Sequence, residues 1–194
     1  MIIDRIGQVL QSRTPLILDE PDFKAAAVLV PLQQRPDGEH LVLTRRASHL
    51  NHHQGQVAFP GGKIDPNDLG ALEAALRESQ EEIGIDPGDV RILGQLDQVP
   101  AGYSFIITPF VGIIPYPYEF QVNAEETAEV FSVPVGELLE RARFKIEPRP
   151  PASNRTDPIY HFYYDGRDIW GATARIIKQF LELVYGFEST ENLD

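Results

Sequence analysis

The chain has 194 residues, 42% apolar and 24% charged, the proportions of an ordinary globular protein with one sizeable core. Its formal net charge of −12 argues against generic nucleic-acid binding and against docking on anionic membranes, since both run on Lys and Arg. The absence of cysteine excludes disulfide frameworks, thiolate zinc sites and cysteine nucleophiles.

The first residues lack a basic stretch followed by a long apolar run, and no run of about 18 apolar residues occurs, so a cytoplasmic protein without a membrane span is expected. One domain over 1–194 is expected, with a helical arm over 1–20 and a flexible tail over 186–194.

In chain order, Ile2, Ile3, Ile6, Val9 and Leu10 recur at helical spacing and predict a short amphipathic helix that stops at Thr14-Pro15. Lys24 to Leu32 reads as a buried strand. Arg35-Pro36-Asp37-Gly38 is a turn, and His40 to Arg46 is the returning strand. A polar, histidine-rich loop follows over 48–54, then a short extended piece over 56–59 that ends at Pro60-Gly61-Gly62. A second loop over 63–69 leads to a helix over 70–84, which holds good helix formers and no Pro and stops at Gly84. Strand-like runs cover 90–96, 106–114 and 129–133, and a short helix is predicted over 135–141. The proline-rich 148–158 reads as a surface loop, 159–164 as a strand, and 173–185 as an amphipathic helix carrying Ile176, Ile177, Phe180, Leu183 and Val184.

The segment Arg77-Glu78-Ser79-Gln80-Glu81-Glu82-Ile83-Gly84 carries the chemistry. At about 100° per residue, Leu72, Leu76, Ser79 and Ile83 make one stripe, predicted to face the core. Glu78 and Glu82 are four apart and stand one above the other, with Glu81 about 60° around from Glu78 on the side predicted to be exposed. Like charges at this spacing weaken a helix, and a hard divalent cation removes the conflict. Arg77, four residues before Glu81, can hold that carboxylate. Magnesium joins a few carboxylates to substrate phosphates while keeping waters, which suits hydrolysis of a diphosphate with a carboxylate taking the proton of the attacking water.

At these residues the sequence resembles the Nudix hydrolase family, whose box reads Gly, five residues, Glu, seven residues, then Arg-Glu-x-x-Glu-Glu-x-Gly and an apolar residue. The second half matches from Arg77 to Ile85. The first half departs: five residues separate Gly62 from Asp68, eight separate Asp68 from Arg77, and the acid is Asp. Ser79 stands at a usually apolar position. Upstream, Val42-Leu43-Thr44-Arg45-Arg46-Ala47 and Gly55-Gln56-Val57-Ala58-Phe59-Pro60-Gly61-Gly62 are similar to the signature of the coenzyme A pyrophosphatases, with Asn51 where those enzymes usually carry Arg. Segments 108–112 and 169–174 also resemble that subfamily.

The resemblance implies an α/β fold, an α/β/α sandwich with the acidic helix beside a mixed sheet. It implies Mg2+ as cofactor with Mn2+ as a substitute, and hydrolysis of coenzyme A to 3′,5′-ADP and 4′-phosphopantetheine. Glu78, Glu82, Glu81 and the Gly62 carbonyl are the expected metal ligands. Arg77 and either Glu81 or a glutamate of the 123–129 loop, Glu126 before Glu125, are the expected catalytic groups. Arg46, then Arg45, Lys63, Gly55 and Phe59, are the expected substrate contacts. No oligomeric state is implied.

Two other readings stand beside this one. Another nucleoside diphosphate derivative such as ADP-ribose would use the same helix. A non-catalytic nucleotide sensor ranks below both, because all three box glutamates are present. Zinc on His49, His52 and His53 is disfavoured, because closed sites usually want four ligands. Trp170 reads most simply as a core or edge aromatic, with stacking on adenine the weaker alternative.

Overall fold

A computed structural model describes residues 2–49, 54–102, 104–149 and 157–189. Asn51, His52 and His53 lie outside them. Among the described residues, α1 (Ile2–Gln11) precedes the hairpin β1 (Lys24–Arg35) and β2 (Gly38–Arg46). Then come the short strands β3 (Val57–Ala58) and β4 (Gly61–Lys63), the acidic helix α2 (Ala71–Ile83), β5 (Arg91–Gln95), β6 (Val99–Ala101) and β7 (Phe105–Ile113). The chain continues through β8 (Thr127–Pro134), a single turn α3 (Val135–Leu138), β9 (Phe144–Glu147), β10 (Ile159–Tyr164), β11 (Arg167–Trp170) and α4 (Gly171–Tyr185).

The main sheet runs β3-β2-β1-β7-β5, with β4 also on β1, β6 on β7 and β8 on β2. It is mixed: β1 pairs parallel with β7, and its other pairings are antiparallel. β1 and β2 pair only at Leu32–Arg35 against Gly38–Leu41 and then splay apart. The segment 57–63 wedges into the gap. It pairs with β2 through Val57 and Ala58 and with β1 through Gly61 to Lys63, and Leu29 donates its N–H to the Pro60 carbonyl at 2.9 Å.

Period-two alternation sorts the side chains of this sheet onto two buried faces. Ala27, Leu29, Val42 and Phe110 pack with Ala74, Ala75 and Ile83 of α2. Val28, Val30, Leu32, Leu41, Leu43 and Val111 join the larger cluster, which takes in Ile3, Ile6 and Leu10 of α1 and Ile176, Ile177, Phe180, Leu181 and Val184 of α4. Helices therefore cover both faces, giving the expected α/β/α sandwich. A second sheet, β11-β10-β9, adds Phe162 and Ile169 to the larger cluster. Phe187, inside the stretch expected to be a flexible tail, is buried there and meets the Phe144 ring edge-on at 5.3 Å.

Several boundaries differ from expectation. β1 runs through the polar Gln33, Gln34 and Arg35 because the tight turn at Pro36-Asp37 keeps the hairpin in register to its tip. Phe59 and the glycines after it do not simply end an extended piece, since β4 continues the chain along β1. The helix expected over 135–141 stops at Leu138 and gives way to a 3-10 turn at Arg141–Arg143. β6, β9 and β11 were not anticipated.

Candidate active site

The helix α2 ends where its sequence says it should. Gly84 adopts φ 72°, and the N–H groups of Gly84 and Ile85 return to Gln80 and Ser79. Its rotation differs from the predicted stripe. Ala74, Ala75, Ser79, Glu82 and Ile83 are buried, whereas Leu72 and Leu76 are only partly so. Ser79 fits the core because its hydroxyl donates to the Ala75 carbonyl at 2.6 Å. Glu82, expected on the exposed side, is 4% exposed.

Three things meet Glu82 in that position. Its Oε2 accepts the Gly61 N–H at 3.2 Å, its Oε1 lies 3.6 Å from Arg46 Nη1, and Glu78 and Glu126 add negative charge nearby. Burial dominates and pushes its carboxyl up to about 7, while the Gly61 amide and Arg46 oppose this. Glu78 is also raised, again by burial first, with Arg77 opposing and Glu81 and Glu126 adding to the rise. Burial disfavours the ionised form of both carboxyls, and a cation held between them would restore it.

Gly62 faces this pair closely. A Cβ there would sit 2.5 Å from the Glu78 carboxylate, so any larger residue would displace that carboxylate. At Gly61, φ is 150° and a Cβ would meet the Ala27 carbonyl oxygen at 2.3 Å. Among the described residues, no three His, Asp or Glu side chains form a ready-made metal cage. The donors are instead one buried carboxylate, Glu82, and one partly buried, Glu78, beside a glycine backbone, all oxygen. Magnesium fits this set, since it usually takes one or two carboxylates plus waters and substrate phosphates rather than an all-protein cage.

Arg77 organises the helix face. Its Nε and Nη2 donate to the two oxygens of Asp68 at 2.9 and 3.0 Å. Nη1 reaches Glu78 at 2.9 Å and Glu81 at 3.1 Å, and Nη2 also reaches the Lys63 carbonyl at 3.3 Å. This pairing holds Asp68 below its ordinary range and raises Arg77. Asp68, the departure from the box, is thus the anchor of Arg77. Glu81 sits on the rim, with a side chain 54% exposed. Glu126 is half-buried, accepts from Asn123 Nδ2 at 3.3 Å, and acts on both Glu78 and Glu82; Glu125 is exposed.

A cleft of about 400 Å³ opens beside this cluster. Arg46, Gly62 and Lys63 line it, so Arg46 and Gly62 belong to both cleft and acidic cluster. Three expected substrate residues are not among those lining it. Arg45 points to the other face of β2, where it pairs with Glu129 at 3.1 Å. Phe59 is 3% exposed and packs in the larger core cluster. Gly55, at φ 65°, turns the chain so that its N–H reaches the Arg46 carbonyl. His49 bonds the Glu125 carbonyl at 2.9 Å. The far wall, with Arg149, Tyr160, Trp170 and Arg175, was not foreseen apart from Trp170, which is 42% exposed and stacks on His161.

Residues 23–155 match the family model described as the NUDIX domain. The chain is 42% identical over 160 residues to an uncharacterized Nudix hydrolase NudL of Yersinia enterocolitica, covering 82% of this chain and 80% of that protein. It is 40% identical over 162 residues to the NudL of Yersinia pestis, covering 83% and 80%. Among solved structures, a MutT/nudix family protein from Enterococcus faecalis superposes with a TM-score of 0.56 at 15% identity, over 94% of this chain and 74% of that one. A Nudix hydrolase from M. smegmatis, RenU, gives 0.51 at 22%, over 59% and 73%. The chain belongs to the Nudix family, and it is a Nudix hydrolase.

Proposed function

We propose that this enzyme hydrolyses the diphosphate bond of coenzyme A, giving 3′,5′-ADP and 4′-phosphopantetheine, with Mg2+ as cofactor and Mn2+ as a substitute. The observation that carries the reading is the position of Arg46. This arginine of the coenzyme A signature lines the cleft and stands 3.6 Å from the buried Glu82, so it joins the substrate space to the acidic cluster.

Glu78 and Glu82 hold the cation, with the Gly62 backbone alongside and Glu81 as a further ligand at the rim. A cation held there would supply charge neutralisation for the diphosphate oxygens and would acidify a bound water. Arg46 and Lys63 meet the phosphates. Asp68 fixes Arg77, which keeps Glu78 and Glu81 in place. Glu126 takes the proton of the attacking water. It lies beside Glu78 and Glu82, whereas Glu81, the other candidate base, is tied to Arg77.

The test is product analysis with coenzyme A, 3′-dephospho-coenzyme A and ADP-ribose, each with and without magnesium. Magnesium-dependent release of 4′-phosphopantetheine from coenzyme A, at the highest kcat/KM of the three, is the expected result. Clear preference for ADP-ribose would overturn the substrate, and no metal-dependent turnover of any of them would overturn the reaction.

A further inference from the structure

Four cations line one cleft in a chain whose net charge is −12. Arg46 and Lys63 come from β2 and β4, next to the acidic helix. Arg149 and Arg175 come from the stretch after β9 and from α4. These two share one carboxylate. Arg149 donates from Nε to the Asp157 carbonyl at 3.0 Å and from Nη2 to Asp157 Oδ2 at 3.2 Å, and Arg175 Nη2 donates to that same oxygen. Arg175 also lies 5.8 Å from the Tyr160 ring centre, so its guanidinium is held from two sides.

A clamp that only tethered the chain at Asp157 would need one arginine. The second leaves the trio with a formal charge of +1, in guanidinium side chains that stay 21% and 22% exposed. Paired guanidiniums held in advance suit a phosphate monoester, whose several oxygens accept from both forks. The scissile diphosphate belongs beside Glu78 and Glu82, so this second cationic pair is available to another anionic group of the same ligand.

We propose that Arg149 and Arg175 form a second anion site that reads a phosphate monoester remote from the scissile diphosphate, which in coenzyme A is the 3′-phosphate. The inference rests on the coenzyme A reading for the identity of that group. It makes the pair the determinant that separates coenzyme A from its 3′-dephospho form.

Calorimetric titration of adenosine 3′,5′-bisphosphate and of 5′-AMP into the wild type, Arg149→Gln and Arg175→Gln tests this without turnover. The wild type is expected to bind the bisphosphate about 10-fold or more tightly than AMP, as one well-placed charged contact provides, and each variant should cut that ratio about 10-fold. A merely structural role would weaken both ligands alike and leave the ratio unmoved. A wild-type ratio near one, or a ratio that survives both substitutions, overturns the proposal. Failure of the coenzyme A reading would show separately, as absence of 4′-phosphopantetheine release.

Discussion

The two walls of the cleft are encoded differently. The acidic wall comes from a short stretch of chain, with Arg46, Gly62, Asp68, Arg77, Glu78 and Glu82 all falling within residues 46–82, and much of it is one helix. The other wall is assembled from Pro100 to Gly102, Arg149, Tyr160 and α4, separate segments spread over residues 100–175. Chemistry that needs fixed spacing between carboxylates can be written into helical periodicity. Recognition made by bringing distant segments together leaves no local pattern.

Substitutions on the acidic wall should therefore change rate, and those elsewhere should change little or only selectivity. The largest effect is expected at Glu82. Glu82→Gln should lower kcat about 10³-fold at saturating magnesium, because metal stabilisation of the reacting charge is worth several kcal/mol. Its Tm should hold, because the amide removes a buried charge. Near-normal turnover at limiting magnesium would remove Glu82 from the metal site. Gly62→Ala comes next. Its methyl would push on the Glu78 carboxylate, and a displacement of that size costs about 10²-fold in steady-state rate. A crystal structure showing Glu78 unmoved, with normal rate, would break the close-approach argument.

Asp68→Asn leaves every proposed metal donor intact and loosens Arg77, along with the hydrogen bond from the Asp65 N–H. It should weaken magnesium activation about 10-fold, read as a shift in the half-saturating magnesium concentration.

The pH dependence has a definite sign. Glu82 moves from an ordinary 4.5 to about 7 on folding, so the folded metal-free protein binds more protons than the unfolded chain between those values. Its contribution to stability falls as pH rises through that window. Thermal melts should show a steeper fall with pH in the wild type than in Glu82→Gln, where only the raised Glu78 carboxyl remains to contribute. Magnesium should raise Tm more at pH 8 than at pH 5, and an equal shift at both would contradict the assignment. The smallest effect is expected at Arg45. Arg45→Ala should change KM by about twofold at most and cost about 0.5 kcal/mol, the scale of an exposed ion pair.

The sandwich, the acidic helix and its stop at Gly84 were legible because 3.6-residue and two-residue periodicities are local signals. The helix rotation was not. Leu72 and Leu76 drew the predicted stripe toward themselves, while the structure turns Ala75 and Glu82 inward, where the wedge at Gly61 supplies an amide for the carboxylate. Phe59 reads in the signature as a substrate contact, yet in space it is core. Asp68 could be seen as an acid in the loop. Its role appears only when residues 63–69 fold back over Arg77. β9 and β11 are four residues each, too short for alternation to stand out before their partner β10 is known.

The wedge between β1 and β2 also has a meaning for the order of synthesis. Residues 24–83 supply both splayed strands, the insert that fills them and the acidic helix. At about 5–20 residues per second, this portion is made several seconds before Arg149 and α4. The nascent protein thus carries most of its acidic wall before the segments that build the opposite wall of the cleft have been made.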